Sequence, residues 1–409
     1  MVLNYIWLSL FFVAAAAALW RWIAGSDPNA FAAMSVAVFD SAKSAFELTL
    51  GLAGSLMFWM GLLAIAERAG AVQLLGRALA PLLRRVFPQL PPEHPAAGAM
   101  VLNFAANALG LDNAATPAGL KAMRALQTLN PTPDTASDAQ VMFMVLHAAS
   151  LTLFPVGIIA LRAAAGAANP ADVFLPILIA SACSALAGFL AVAWVQKLRI
   201  DAWLMAGLGL VAALIGTALW AFARLPAAQV QALSAQLGGA LLIAALLWFL
   251  GLAAWKRIDA WASFVEGATE GLTTTLQIAP YLVGMLVAVG VLRASGALDA
   301  ITGLLSWVLQ GIGLPADAAP ALPTMLMKPL SGSAARGMMV DTMQAYGADS
   351  FAGRLAALFQ GGTDTTLYVM ALYSGAAGLK RLRHTLPCAL IADAAGFAAA
   401  LAIAVAMYG

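Results

Sequence analysis

The chain of 409 residues carries too little charge to be a soluble protein of that length. Hydrophobic residues make up 63 % of it, and Asp, Glu, Lys and Arg only 10 %. Soluble globular proteins carry about 25 % charged residues, so the composition predicts an integral membrane protein. The net charge of +2 leaves no basic surface for phosphates, which excludes nucleic-acid binding. Cys183 and Cys388 lie far apart in apolar segments, so we expect neither a disulfide nor a metal site.

About nine stretches are long and apolar enough to cross a membrane, since a hydrocarbon core about 30 Å thick needs about 20 apolar residues per helix. They lie at 3–19, 46–66, 138–162, 172–195, 203–222, 237–255, 273–292, 351–377 and 386–408. The first ends at an aromatic and basic anchor around Arg21. Because it lacks a basic leader and a cleavage site, we interpret it as a retained span rather than a signal peptide.

Shorter segments between the spans do not fit a simple crossing. Two amphipathic segments, 72–87 and 298–309, are predicted to lie in the membrane interface. Two pairs of short apolar helices are each joined by a polar loop, 95–111 with 118–129 and 318–330 with 337–346. Such pairs predict re-entrant hairpins. At membrane depth, irregular backbone is tolerated only where protein buries it or where it lines a wet cavity.

Two long parts of the chain resemble each other, at about 46–195 and about 266–408. The stretch FELTLGLAGSLMFWMGLLAIAERAGA from Phe46 is echoed by LTTTLQIAPYLVGMLVAVGVLRASGA from Leu272. Likewise HAASLTLFPVGIIALRAAAG from His147 is echoed by QGGTDTTLYVMALYSGAAG from Gln360. Five predicted crossings separate the two starts. Five is an odd number, so the second repeat is predicted to enter the membrane upside down.

The basic residues give the orientation. With a cytoplasmic N-terminus, 13 of the 21 Lys and Arg residues fall on the cytoplasmic side, as the positive-inside rule requires. Segment 72–87 carries three arginines and its counterpart 298–309 none, as expected of one unit facing in and its twin facing out. Inverted repeats with broken helices are typical of secondary transporters, whose sites lie near the midplane. A membrane scaffold built by duplication is the alternative.

Three motifs resemble known families. NALGLDNAATPAGLKAM from Asn107 and TLFPVGIIALRAAAGAANP from Thr152 resemble the spore maturation protein A family, and the long stretch that begins PLSGSAARGMMVDTM at Pro329 resembles the spore maturation protein B family. The resemblance implies a fusion of two halves, 1–200 and 201–409. It also implies the Gate, or nucleoside-recognition, module shared with concentrative nucleoside transporters and with the membrane part of ferrous iron transporters.

The strongest candidate site interrupts the span 351–377. Its substrate-binding candidates are Gln360, Gly361, Gly362, Thr363, Asp364 and Thr365. The two glycines disfavour continuous helix, and a carboxylate at this depth is costly unless it binds something. It could accept ribose hydroxyls, take a proton or join backbone carbonyls around Na⁺. The motif also resembles the Gln-Thr-Glu hairpin motif of concentrative nucleoside transporters. The alternative is a structural pair between Asp364 and Arg336 or Lys328.

The repeat counterpart of this motif interrupts the span 138–162. Pro155 lacks an N–H and kinks the helix. Ser150 and Thr152 either satisfy the carbonyls that the kink frees or contact the substrate. His147 is a candidate ion-coupling residue, with a hydrogen-bonded core histidine as the alternative.

The first hairpin tip is rich in amides. Asn103 and Asn107 share a helix face at four-residue spacing, and Asn113 follows in the loop. Amides donate and accept at once, which suits the edge of a nucleobase, so all three are substrate-binding candidates. Thr116 before Pro117 is predicted to be the N-cap of the second helix of this hairpin.

The second hairpin tip combines hydroxyls with cations. Ser331 and Ser333 precede a helix start, where backbone N–H groups favour an anion together with Lys328 and Arg336. The two cations could instead extend to the outer interface. Asp393, inside the last span with no cation in its own helix, is a further ion-coupling candidate.

These observations predict an all-α polytopic membrane protein with two inverted repeats, in a bacterial inner membrane with the N-terminus cytoplasmic. We expect a transporter of a nucleoside, nucleobase or small organic acid, coupled to H⁺ or Na⁺, with no other cofactor and no enzymatic motif. Membrane lipid and a small solute are the expected partners, and a homodimer stays open. A structural or regulatory protein of spore or envelope maturation is the competing hypothesis.

Overall fold

The computed structural model describes residues 2–25, 27–91, 93–110, 112–198, 200–224, 227–311 and 313–408. In that part of the chain the α-helices are α1 (Val2–Ile23), α2 (Ala30–Arg68), α3 (Ala71–Val86), α4 (Pro95–Ala108), α5 (Asp112–Gln127), α6 (Asp138–Ala149), α7 (Val156–Ala164), α8 (Phe174–Val195), α9 (Ala202–Arg224), α10 (Ala227–Lys256), α11 (Ala260–Ala294), α12 (Ala297–Gly311), α13 (Leu322–Met327), α14 (Gly332–Tyr346), α15 (Phe351–Gly361), α16 (Thr366–Ala377) and α17 (Thr385–Tyr408). Short 3₁₀ segments, Pro170–Val173 and Ala316–Ala321, precede α8 and α13.

Among the described residues, six helical stretches are long and apolar enough to cross a membrane on their own. They are Asn4–Ile23, Ala30–Arg68, Pro170–Val195, Ala232–Lys256, Ala260–Ala294 and Thr385–Tyr408. The other three predicted crossings are α9, whose apolar part Ala202–Ala218 is shorter, and the two broken pairs α6/α7 and α15/α16. The chain is therefore an all-α, multi-pass membrane protein, and the number of full crossings stays a prediction.

Helices α2 and α11 form the long central pair. They have 39 and 35 residues and start well before the predicted spans, because polar residues such as Asp40 and Glu266 lie outside an apolar window but not outside the helix. They cross closely through glycines. A Cβ at Gly267 would lie 2.5 Å from the carbonyl oxygen of Met60, and one at Gly271 would lie 2.7 Å from that of Leu56. This four-residue glycine spacing is a common contact motif of membrane helices.

The helix before each central helix packs against the other half of the chain. In α1, the Trp7 indole N–H donates to the Gly284 carbonyl of α11 over 3.0 Å. In α10, Phe249 and Leu252 share a buried cluster with Leu62 of α2. Helices α1 and α10 therefore occupy corresponding positions, since each precedes the central helix of its own half and packs against the central helix of the other half. The predicted repeat and domain boundaries stay predictions.

The two broken helices run antiparallel. At one end the backbone N–H of Ala168, after α7, donates to Asp349, before α15, over 2.8 Å. At the other end the N–H of Ala136, before α6, donates to the Arg381 carbonyl, after α16, over 2.9 Å. The end of each broken helix thus lies beside the beginning of the other, which is the arrangement that inverted repeats require.

Both predicted interfacial segments and both hairpins are helical. Helix α3 connects to the start of α9 through Asp201. The Leu204 backbone N–H and the Arg85 side chain donate to that carboxylate and hold its pKa below the usual range. The predicted start of the second hairpin helix is wrong. Helix α5 begins at Asp112, so Thr116 and Pro117 lie inside it rather than at its N-cap. The φ of about −65° that the proline ring fixes is itself helical, so the helix continues through Pro117 without the hydrogen bond of the missing N–H.

Candidate functional site

The site lies where the two broken helices and the two hairpin tips meet. Helix α6 ends at Ala149, and α15 ends at Gly361. Between α6 and α7 the Leu153 N–H donates to the Ala108 carbonyl at the end of α4 over 3.0 Å. Between α15 and α16 the Leu367 N–H donates to the Pro329 carbonyl in the second hairpin over 2.9 Å. Each break therefore satisfies freed backbone groups from the hairpin of its own repeat.

Ser150 marks the first break. It adopts a φ of 21°, in the left-handed region, and is buried. The N–H of Thr152 donates to the Ser181 hydroxyl of α8 over 3.3 Å. These features give the two residues a structural role, and both also line the smaller cavity described below.

A buried polar network surrounds His147. Its Nδ1 lies 3.0 Å from the Asn103 amide oxygen, and the amide nitrogen of Asn103 donates to the Ala115 carbonyl over 2.6 Å. The Tyr373 hydroxyl lies 3.3 Å both from His147 Nε2 and from the Asn103 amide nitrogen. Asn103 and Tyr373 are almost completely buried. They orient His147 between α4, α5 and α16.

Asp364 connects this network to a cavity. Its carboxylate lies 3.8 Å from His147 Nε2, accepts the N–H of Thr365 over 2.6 Å and is 38 % exposed. Arg336 lines the same space, but no ion pair joins the two side chains. The structural pair between Asp364 and Arg336 is therefore absent, and the carboxylate is turned toward a cavity.

Two cavities meet at Asp364. A cavity of about 220 Å³ lies between α2, α7 and the two breaks. A second of about 660 Å³ lies between α14, α16 and the first hairpin. Asn107, Arg336 and Asp364 line both. The smaller cavity is lined by α7 and the larger one by α16. Because the two broken helices are antiparallel, α7 and α16 run from the breaks toward opposite ends of the helix pair, and the two cavities therefore lie on opposite sides of these three residues.

Asn107 and Asp364 line both cavities, and the other predicted site residues fall into four sets. The smaller cavity is lined by Ser150, Thr152, Gln360, Gly361 and Thr363, and the larger one by His147, Ser331, Ser333 and Thr365. Three residues lie behind the cavities: Asn103, Gly362 and Asp393. The side chain of Asn113 lies outside the described part of the chain.

Comparison with known proteins identifies the family of the chain. The sequence profile of the Gate family, described as "Nucleoside recognition", matches residues 49–165 and 275–380. The chain belongs to the Gate family. It is 47 % identical over 154 residues to "Spore maturation protein B" of Bacillus subtilis (strain 168), which covers 38 % of this chain and 85 % of that protein. It is 35 % identical over 185 residues to "Spore maturation protein A" of the same organism, 45 % of this chain and 91 % of that protein. No solved structure matches the chain.

The two Gate stretches contain both cavity walls. The first runs from α2 to α7 and includes Asn107 and His147, and the second runs from α11 to α16 and includes Arg336 and Asp364. Asp393 lies beyond the second stretch. The residues around the junction of the cavities thus come from both matched parts of this Gate protein.

Two groups escaped the sequence analysis. Tyr373 was not a candidate, because an aromatic residue in an apolar helix is usually packing. A buried ionic cluster at the C-terminal end of α7 was also missed. Fully buried Arg162 donates to Asp172 over 2.9 Å and to Asp349 over 3.0 Å, and Arg354 donates to Asp172 over 2.8 Å. Asp349 is 187 positions from Arg162, so no local pattern connects them.

Proposed function

We propose that this Gate protein is a secondary transporter of a small polar solute. The observation that supports the proposal most is the meeting of two cavities on either side of one group of residues, Asp364, Arg336 and Asn107. A solute held there touches groups from both repeats. Rocking one repeat against the other opens one cavity while it closes the other, which is alternating access around a fixed site.

The chemistry of the junction favours a solute with several hydroxyls or amide-like edges. The Asp364 carboxylate accepts from hydroxyls, the Arg336 guanidinium donates to oxygen atoms, and the Asn107 amide does both. Buried Gln360 presents an amide oxygen that has no partner within the protein. A nucleoside, a nucleobase or a small organic acid fits these groups. The description of the Gate family as nucleoside recognition supports the first two.

A coupling ion, H⁺ or Na⁺, belongs to the same proposal. A carboxylate at the junction exchanges a proton or helps to bind a cation, and the titratable His147 lies 3.8 Å from it through Nε2. We further propose a bacterial inner membrane with a cytoplasmic N-terminus, because this orientation keeps most Lys and Arg residues on the cytoplasmic side.

The competing function is a structural or regulatory role in spore or envelope maturation. The names of both Bacillus subtilis relatives favour it. A non-transporting protein needs no solute at the cavity junction. It therefore predicts that no small polar solute stabilises the purified protein.

The experiment is a thermal-unfolding screen of the purified protein against nucleosides, nucleobases, organic acids and simple cations. Each hit is repeated with Asp364→Asn. The matched control is Asp299→Asn, since Asp299 is exposed at the start of α12 and lines neither cavity. We expect a solute that raises the melting temperature of the parent and of the control but not of Asp364→Asn. If no solute stabilises any of the three, the transport proposal is contradicted.

A further inference from the structure

Unpartnered oxygens cluster behind the second broken helix. In the described part of the chain, five buried side-chain oxygens have no hydrogen-bond partner in the protein: Ser184 Oγ, Thr324 Oγ1, Gln360 Oε1, Thr363 Oγ1 and Asp393 Oδ1. Leaving such a group unsatisfied destabilises the folded protein, and more so when the group is charged. Three of the five, those of Ser184, Thr363 and Asp393, come from elements that meet at one place.

That place is the contact of α8, α17 and the break between α15 and α16. A Cβ at Gly396 of α17 would lie 2.9 Å from the Thr363 methyl group, 3.0 Å from Ser184 Cβ and 3.2 Å from the Gly362 carbonyl oxygen. Asp393 lies about one turn before Gly396 and therefore on the same face. The absence of a side chain at Gly396 allows these oxygens to approach.

The Asp393 carboxylate is half satisfied. Its Oδ2 accepts the Thr366 hydroxyl over 2.6 Å, whereas its Oδ1 makes no regular hydrogen bond, although the Thr363 hydroxyl is close enough to act on the carboxylate. Asp393, Thr363, Thr366 and Ser184 are each at most 4 % exposed. A buried carboxylate at membrane depth requires a compensating positive charge or a proton.

The oxygen atoms at this contact indicate which kind of ion could bind there. One carboxylate, three hydroxyls and a nearby carbonyl are hard oxygen ligands, which hard cations prefer. Calcium and magnesium sites in proteins usually contain several carboxylates or phosphates. A single carboxylate instead neutralises one positive charge, which is the charge of a monovalent cation.

We propose that Asp393, Thr366, Thr363 and Ser184 form a binding site for a monovalent alkali cation behind the second broken helix. Thr363 also lines the smaller cavity, so the site is connected to the route of the solute. Thr363 and Thr366 flank Asp364 in sequence, so an ion here holds the break in the shape that presents the Asp364 carboxylate. Binding of the ion does not depend on transport, and only its role as the coupling ion rests on the proposed function.

Lys328 is the competing counter-ion. It lies in the second hairpin and, with Asp364, is one of the charged groups that act on Asp393 across the contact. If the Lys328 ammonium is the sole partner of Asp393, no alkali cation is needed. Replacing Lys328 therefore separates the two accounts.

The test is thermal unfolding of the full chain in detergent in NaCl, KCl and choline chloride at equal ionic strength. We expect NaCl or KCl to raise the melting temperature over choline chloride by about 3 °C, as ligand binding to the folded state does. Asp393→Asn and Thr366→Val should lose this difference. Thr366→Ser, which keeps the hydroxyl, and Lys328→Met should retain it.

Three results would overturn the site. They are equal melting temperatures of the parent in all three salts, a cation effect that survives Asp393→Asn, and a cation effect that disappears in Lys328→Met. Thr366→Val, with Thr366→Ser as its matched control, provides the readout if Asp393→Asn does not fold. The measurement uses no solute. A cation effect without any solute response therefore supports this site and contradicts transport, and a solute response without a cation effect does the reverse.

Discussion

The backbone N–H of Asp364 donates to the carbonyl of Ala148 over 2.9 Å. This hydrogen bond joins the break of one repeat to the end of α6 in the other repeat. Ala148 directly follows His147, so the bond also explains why the Asp364 carboxylate lies beside the imidazole. Movement of one repeat against the other must stretch or exchange this contact, and the contact is therefore expected to depend on which cavity is open.

The polar network around His147 should contribute measurably to stability. Tyr373→Phe removes a hydroxyl that is 1 % exposed and is expected to lower the free energy of unfolding by about 0.5–1.5 kcal/mol. The matched control is Tyr368→Phe on the same helix, whose side chain is 58 % exposed and which should change stability by less than about 0.5 kcal/mol. Unfolding in detergent compares the two. Equal effects would mean that the Tyr373 hydroxyl is not part of a network.

The ionic contacts at the two faces should differ in strength. Arg162 is fully buried and bonded to two carboxylates, so Arg162→Met is expected to destabilise the protein by about 3–5 kcal/mol. Arg383 pairs with Asp138 at the opposite face with both side chains well exposed, so Arg383→Met should cost about 0–1 kcal/mol. The same unfolding measurement applies. A similar loss in both variants would contradict the burial difference.

The second hairpin tip should be sensitive to one added methyl group. A Cβ at Gly332 would lie 2.5 Å from the Thr365 hydroxyl, whereas one at Gly303 in α12 meets nothing within 4 Å. Gly332→Ala should therefore push the hairpin away from the break and weaken binding of any solute found in the screen, while Gly303→Ala should not. Titrations of both variants with that solute check this. Equal affinity would show that the tip tolerates the displacement.

The orientation in the membrane can be tested with single cysteines. In a chain with Cys183→Ala and Cys388→Ala, the exposed positions Thr132 and Ala168 lie at opposite ends of the first broken helix. A membrane-impermeant thiol reagent added to intact cells should label Ala168→Cys and leave Thr132→Cys unlabelled until the membrane is permeabilised. The reverse pattern would contradict a cytoplasmic N-terminus.

Local patterns predicted much of the fold. The scarcity of charge identified the membrane, and apolar segments of insufficient length identified both hairpins. The glycines at 361–362 and Pro155 indicated the two breaks within a few residues. These features are readable because each depends on the composition of one continuous segment.

Long-range relations could not be predicted in the same way. The packing of α1 on α11, the partnership of Tyr373 with Asn103 and the Arg162 cluster each join residues far apart in sequence. The lengths of α2 and α11 were missed for a different reason. An apolar window ends at Asp40 or Glu270, whereas the helical hydrogen-bond pattern continues through polar residues into the interface.

Uptake into proteoliposomes tests the central claim, that the two cavities form one route through Asp364. Vesicles containing the purified parent, Asp364→Asn or Asp299→Asn are given a radiolabelled solute from the stability screen under an imposed Na⁺ or H⁺ gradient. The account predicts uptake by the parent and Asp299→Asn, and uptake lower by about tenfold or more in Asp364→Asn, as expected for the loss of a charged hydrogen-bond partner. Absence of uptake by the parent, or undiminished uptake by Asp364→Asn, would contradict it.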